Sequence, residues 1–339
     1  MKTIHTVLLT SFLTLTLSLA ETDPTARDAQ GNTPLITAAL NADANAVENQ
    51  IDAKADVNAK NKAGYTALMM ATTKRHVKVV KLLLNAKADV NLRSIVGFSA
   101  LMRVCVIGGH VDVLKMLLKA GAPVDEKESV GHTALMLLAR NGVEPEEKMK
   151  TMDTKPAHGE SIKDYSSIAE LGKVLIAAGA DVNLANKAGQ TSLMLASEKG
   201  RTDLVKQLIS SKANVNALTN GKKTALLYAC NNNHPEAAKL LIRAGADVNQ
   251  KYVSGKGYSG ITCLMLAAMN GYTDVVKVLL DANAAVNEAM IYQENKTPPF
   301  EVDGSLVIQT QAASSTALSL ATENNHPDVV ELLKKNGAQ

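Results

Sequence analysis

The sequence predicts an all-α fold, a solenoid of helix-turn-helix units joined by short projecting hairpin turns. Three observations carry this expectation. A short phrase recurs eight times, as Thr33-Pro34-Leu35, Thr66-Ala67-Leu68, Ser99-Ala100-Leu101, Thr133-Ala134-Leu135, Thr191-Ser192-Leu193, Thr224-Ala225-Leu226, Thr262-Cys263-Leu264 and Thr316-Ala317-Leu318. The steps between phrases are 33, 33, 34, 58, 33, 38 and 54 residues. A base period of 33 with longer steps means stacked copies of one small unit, with insertions. Finally, each phrase opens the same order of apolar residues at helical spacing.

The second copy shows the unit most clearly. Thr66 is placed to cap a first helix through its hydroxyl. Leu68, Ala71 and Thr72 then share one face, and their small partners let a neighbouring helix approach closely. Val77, Val80, Leu83 and Leu84 mark a second helix. Asp89-Val90-Asn91 and Gly97 punctuate the turn before the next capping hydroxyl, as Gly64 and Gly131 do elsewhere. One such pair cannot bury both faces of its helices, whereas a stack can.

The composition agrees, with 46% hydrophobic and 20% charged residues, as in folded proteins. Aromatics make up 3% and Trp is missing, so the core must be Leu, Val, Ala and Met. A net charge of +3 is too slight for a nucleic-acid partner, which would need a concentrated basic face. The first twenty residues differ from the rest: Lys2, an apolar run from Val7 to Leu19, and Ser18-Leu19-Ala20 read as a signal peptide over residues 1–20. The mature chain then starts at Glu21 and is exported, to the periplasm in a bacterium and otherwise to the medium. Cys105 and Cys230 occupy the same slot three repeats apart, and Cys230 and Cys263 occupy different slots of adjacent repeats. All three are expected to be buried thiols serving as small apolar residues.

The unit resembles the ankyrin repeat. Gly121-Ala122, Gly179-Ala180-Asp181-Val182-Asn183 and Gly245-Ala246-Asp247-Val248-Asn249 match the end of that family's pattern. The match spans residues 29–339, with repeats starting near 31, 64, 97, 131, 189, 221, 260 and 314. Where the family has His in the phrase, this chain has Met69, Met102, Met136, Met194 and Met265, a row that reads as core packing. The resemblance implies a protein partner held on the concave face by the residue before each phrase and by two positions late in the first helix. Carried onto this chain, the contact candidates are Tyr65, Phe98, Val106, Ile107, His132, Arg140, Lys223, Ile261 and Met269. Copies two and three stand out, because Tyr65, Phe98, Val106 and Ile107 place apolar groups where other copies are polar. Copy three also carries one extra residue before His110, and that residue either leaves Val106 and Ile107 at the surface or turns one of them into the core.

Insertions fall at about 143–167, 251–260 and 288–315. The last is apolar for a loop, with Tyr292, Phe300, Leu306, Val307 and Ile308, and suggests a hairpin that packs on the stack or meets a partner. Catalytic signals are missing. His76, His110, His234 and His326 sit at one repeat slot, and no paired Cys, His-Glu-x-x-His or phosphate-cradling motif occurs. Gly255, Gly257 and Gly260 mimic a dinucleotide fingerprint but replace a repeat turn. The expectation is an exported, monomeric scaffold that binds protein through its concave face and hairpin tips. It has no enzymatic activity, cofactor or metal, no nucleic-acid partner, and no stable membrane insertion after signal removal. The alternatives are a secreted effector acting on another organism's proteins, or an enzyme or small-ligand binder with its site in the insertions.

Overall fold

A computed structural model describes residues 23–108, 111–141, 167–253, 258–292, 300–302, 305–307 and 314–339. The leader and most of the insertion at 143–167 lie outside the described residues. The chain divides into two compact units, Met1–Ala180 and Asp181–Gln339.

In the first unit the helices come in four pairs: Pro34–Leu40 with Ala44–Asp52, Ala67–Lys74 with Val77–Asn85, Ala100–Ile107 with Val111–Lys119, and Ala134–Asn141 with Ile168–Ala177. First helices pack on first helices and second on second, so each pair buries its faces against its neighbours. The second unit repeats this with Ser192–Glu198 and Thr202–Ser210, Ala225–Asn231 and Pro235–Arg243, Cys263–Met269 and Thr273–Asp281, and Ala317–Glu323 and Pro327–Lys335.

All eight phrase hydroxyls cap their helices. Thr66 Oγ1 accepts from Met69 N at 3.3 Å, and Thr133 Oγ1 accepts from Met136 N at 3.4 Å. Thr316 closes a full capping box with Ser319. A hydroxyl there satisfies a backbone donor that the first helical turn leaves without a partner. The phrase leucines, such as Leu68, Leu101, Leu193 and Leu226, are buried, as are the Met side chains that directly follow five of the eight phrases. Burial of one such side chain contributes about 1.5–3 kcal/mol. Polar residues in the same core are satisfied locally: Thr72 Oγ1 donates to Met69 O and Ser197 Oγ to Leu193 O.

Neighbouring repeats are joined by a staircase of side-chain-to-backbone bonds. The Asn that ends the Asp-Val-Asn element accepts from the backbone of the next repeat: Asn58 Oδ1 from Asp89 N at 2.8 Å, Asn183 from Asn214 N at 2.7 Å, Asn216 from Asp247 N at 3.0 Å and Asn249 from Ala285 N at 2.9 Å. The His slot works the other way. His76 Nε2 contacts Leu40 O, His234 Nε2 contacts Glu198 O and His326 Nε2 contacts Met269 O, each at the end of an earlier first helix.

The only described sheets lie in the second unit. β1 (Tyr258–Ser259), β2 (Ala289–Tyr292) and β5 (Ser314–Thr316) form one antiparallel sheet in the order β1-β2-β5. It joins the end of the insertion at 251–260 to both ends of the insertion at 288–315. Within the latter, β3 (Phe300–Val302) and β4 (Ser305–Val307) form the expected hairpin, with Phe300 opposite Val307.

Candidate contact surface

The hairpin turn before each of phrases two to six is held shut by one side chain five residues ahead of the capping hydroxyl. Asn61 Oδ1 accepts from Tyr65 N, Ser94 Oγ from Phe98 N, Glu128 Oε1 from His132 N, Asn186 Oδ1 from Gln190 N and Thr219 Oγ1 from Lys223 N. Each bond fixes the residue just before a phrase, which is the leading contact candidate. One position earlier, the first unit carries a basic row. Arg27 Nη1 donates to Lys60 O at 2.8 Å, Lys60 Nζ donates to Arg93 O at 2.9 Å, and Arg93 Nη2 donates to Lys127 O. The equivalent positions in repeats 5 and 6 are Ala185 and Leu218.

These turns present the first-helix face. The guanidinium of Arg103 lies over the Tyr65 ring, 5.4 Å from its centroid, while Arg103 Nε donates to Thr73 Oγ1 at 3.0 Å. The residue before phrase two, the late first-helix position of repeat 2 and the middle of the first helix of repeat 3 therefore share one surface. Tyr65, Phe98, Val106 and Ile107 are all half-buried. The extra residue of copy three does not turn Val106 or Ile107 into the core. The first helix of repeat 3 ends at Gly108, with φ +65°, and Arg75 Nη2 from repeat 2 holds the carbonyls of Ile107 and Gly108 at 3.0 and 2.7 Å. Arg140 is exposed on the same face of repeat 4. In the second unit Lys223 and Met269 are exposed.

Two sequence candidates are corrected. His132 is only 4% exposed and Ile261 only 6%, so neither presents a contact surface. The His132 ring turns back onto Glu128, with Nδ1 2.8 Å from Oε1. A carboxylate only accepts, so that nitrogen carries the hydrogen. Ile261 is drawn under the enlarged turn by a two-way backbone bridge to Tyr252, with bonds of 3.0 and 3.2 Å.

Burial pulls the Glu128 carboxyl upward. Hydrogen bonds from Val130 N, His132 N, the His132 ring and Ser129 Oγ outweigh it and hold the pKa below the usual carboxylate value. A depressed folded value means that this contribution to stability is full above the ordinary carboxylate pKa and is lost as pH falls through the folded one. The unfolding temperature of the native chain should therefore drop more steeply than that of Glu128→Gln between about pH 5 and pH 3. Parallel slopes in thermal scans would refute this.

Sequence reasoning missed the hairpin tips of repeats 3 and 4. Ile95, Val96 and Val130 are 75%, 48% and 53% exposed. The two tips adjoin, since Ser129 N donates to Val96 O at 3.3 Å. The readable signal was an apolar residue directly before the turn glycine, Val96-Gly97 and Val130-Gly131. A cleft of about 690 Å³ also opens on repeat 1, lined among others by Pro34, Ala38, Asn41, Ala46 and Gln50.

The thiols are buried, as the repeat slots led one to expect. Cys105, Cys230 and Cys263 are buried and free. Burial pushes the Cys105 thiol up to about 12. A hydrogen bond with Cys263, together with burial, raises the Cys230 thiol well above its ordinary value. Among the described residues no three His, Cys, Asp or Glu side chains gather as metal ligands, and no helix is long and apolar enough to cross a membrane.

Paired short helices, capping Thr or Ser hydroxyls, and turns laced by Asn define a stacked-repeat protein. The family model for ankyrin repeats matches residues 8–94, 163–252 and 253–339, and a second ankyrin repeat model matches residues 71–118. The chain belongs to the ankyrin repeat family. No curated protein matches it significantly. Ankyrin repeats are in general protein–protein interaction modules, and proteins built from them are typically non-enzymatic scaffolds.

Proposed function

We propose that the chain is an exported, monomeric scaffold that captures a protein partner on the concave, first-helix face of repeats 2 and 3, assisted by the apolar tips of repeats 3 and 4. The observation that carries this reading is the half-buried group Tyr65, Phe98, Val106 and Ile107, with Arg103 laid across Tyr65. Half-exposed aromatic and aliphatic side chains rimmed by charge are the usual chemistry of a contact site. Because hydrogen bonds already fix these turns, binding asks for little reorganisation. Export is supported by Lys2, the apolar run Val7 to Leu19 and Ser18-Leu19-Ala20. The destination is the periplasm in a bacterium and the medium otherwise.

A photo-crosslinking residue at Phe98, in the full chain inside its own cells, tests the face. Adducts with a defined partner are expected at Phe98 and not at Lys115, an exposed position on a second helix. Adducts at Lys115 alone would overturn the reading. Fractionation of the same cells should find a chain starting at Glu21 outside the cytoplasm, and a full-length cytoplasmic chain would refute export.

A further inference from the structure

In the first unit the proposed contact face carries charge of one sign only. Four slots of each repeat contribute to it: the residue before the phrase, and those four, seven and eight places after the capping hydroxyl. In repeats 1 to 4 the charged residues at these slots are Lys74, Arg103 and Arg140, and there is no Asp or Glu. In repeats 5 to 8 the same slots are mixed, with Glu198 and Glu323 beside Lys199 and Lys223. Lys74 and Arg140 are exposed, and the cation of Arg103 is spread over the Tyr65 ring. The apolar members, Tyr65, Phe98, Val106 and Ile107, lie among these cations.

We infer that this face takes a protein segment rich in Asp and Glu that also carries an aromatic or branched aliphatic side chain. The inference rests on the contact-face reading above and names the partner's chemistry. Complementary charge steers encounter and rejects like-charged competitors, while the apolar anchor supplies the lasting part of the affinity. Two glutamates of the turn before phrase four do not cancel the pattern. Glu128 is spent on closing its own turn, and Glu126 faces Arg93 at 4.0 Å. A nucleic acid fits less well. Three cations neutralise few phosphates, and Val106 and Ile107 offer no stacking plane for a base.

The test uses the full chain and three labelled probes: a synthetic peptide of Glu and Asp around one Phe and one Leu, its charge-reversed Lys counterpart, and a single-stranded oligonucleotide. Fluorescence anisotropy should give saturable binding of the acidic peptide, weakened as salt rises, with the Lys peptide about tenfold weaker or worse. Lys74→Glu combined with Arg140→Glu should cost the acidic peptide about tenfold in affinity while thermal unfolding stays near that of the native chain, because both side chains are exposed. Equal binding of the Lys peptide, tighter binding of the oligonucleotide, no saturable binding of the acidic peptide, or an unaltered double variant would each overturn the inference. The two levels separate cleanly. Crosslinks at Phe98 to a neutral or basic segment sink the charge assignment and leave the face standing, whereas a Phe98 probe that captures nothing removes both.

Discussion

Gly200→Ala should destabilise the second unit by about 2–4 kcal/mol, far beyond the usual effect of a methyl group. Two costs combine. Gly200 has φ +64°, a left-handed conformation that L side chains rarely adopt, and its added Cβ would lie 2.4 Å from Nδ1 of His234 in the next repeat. The imidazole cannot simply yield, since its Nε2 is 3.1 Å from Glu198 O. Gly271 repeats the arrangement, with His326 Nδ1 at 2.6 Å from the built Cβ. Gly245 is the control. Its φ is +90° but nothing lies within 4 Å, so Gly245→Ala should show only the backbone cost of about 1–2 kcal/mol. Denaturant unfolding of the three variants measures the gap. Removing the ring in the double variant Gly200→Ala with His234→Ala should recover part of the loss as a coupling between neighbours. Equal losses at Gly200 and Gly245 would show that the ring contact has no energetic weight.

The second large effect separates core from surface within one repeat. Leu101→Ala should cost about 3–5 kcal/mol, because the side chain is 1% exposed and its removal leaves a cavity among packed helices. Phe98, three residues earlier, is half-buried, so Phe98→Ala should cost less than about 2 kcal/mol and act instead on partner capture. Thermal unfolding and partner crosslinking of both variants give the two readouts. Should Phe98→Ala match Leu101→Ala in stability loss, Phe98 is a core residue and the contact face loses its centre.

Much of the fold was legible in the sequence, and particular residues show why. Thr66, Ser99 and Thr133 announce helix starts because capping is local: the hydroxyl serves a backbone N–H only three residues on. The Met row was readable as core because a repeat slot has one environment throughout the stack. The candidate face was legible in part. Tyr65, Phe98, Val106, Ile107, Arg140, Lys223 and Met269 keep some exposure, while His132 and Ile261 do not. These two fail because each is captured by a partner whose position depends on the turn's conformation: Glu128 for the His132 ring, and the Tyr252 backbone for Ile261.

By itself, then, the sequence determined the repeat, its period, its caps and the identity of its core, since all of these rest on interactions within a few residues or on a pattern copied along the chain. The tertiary structure alone decided what happens between repeats. It laid Arg103 over Tyr65, set His234 against Gly200, brought the Cys230 and Cys263 thiols into contact, and sewed two separate insertions into the sheet β1-β2-β5. The physical reason is the range of each interaction. A cap or a helical face is fixed by neighbours in sequence, whereas a contact between repeats depends on how far one helix pair is shifted and rotated against the next, a quantity that no spacing along the chain encodes.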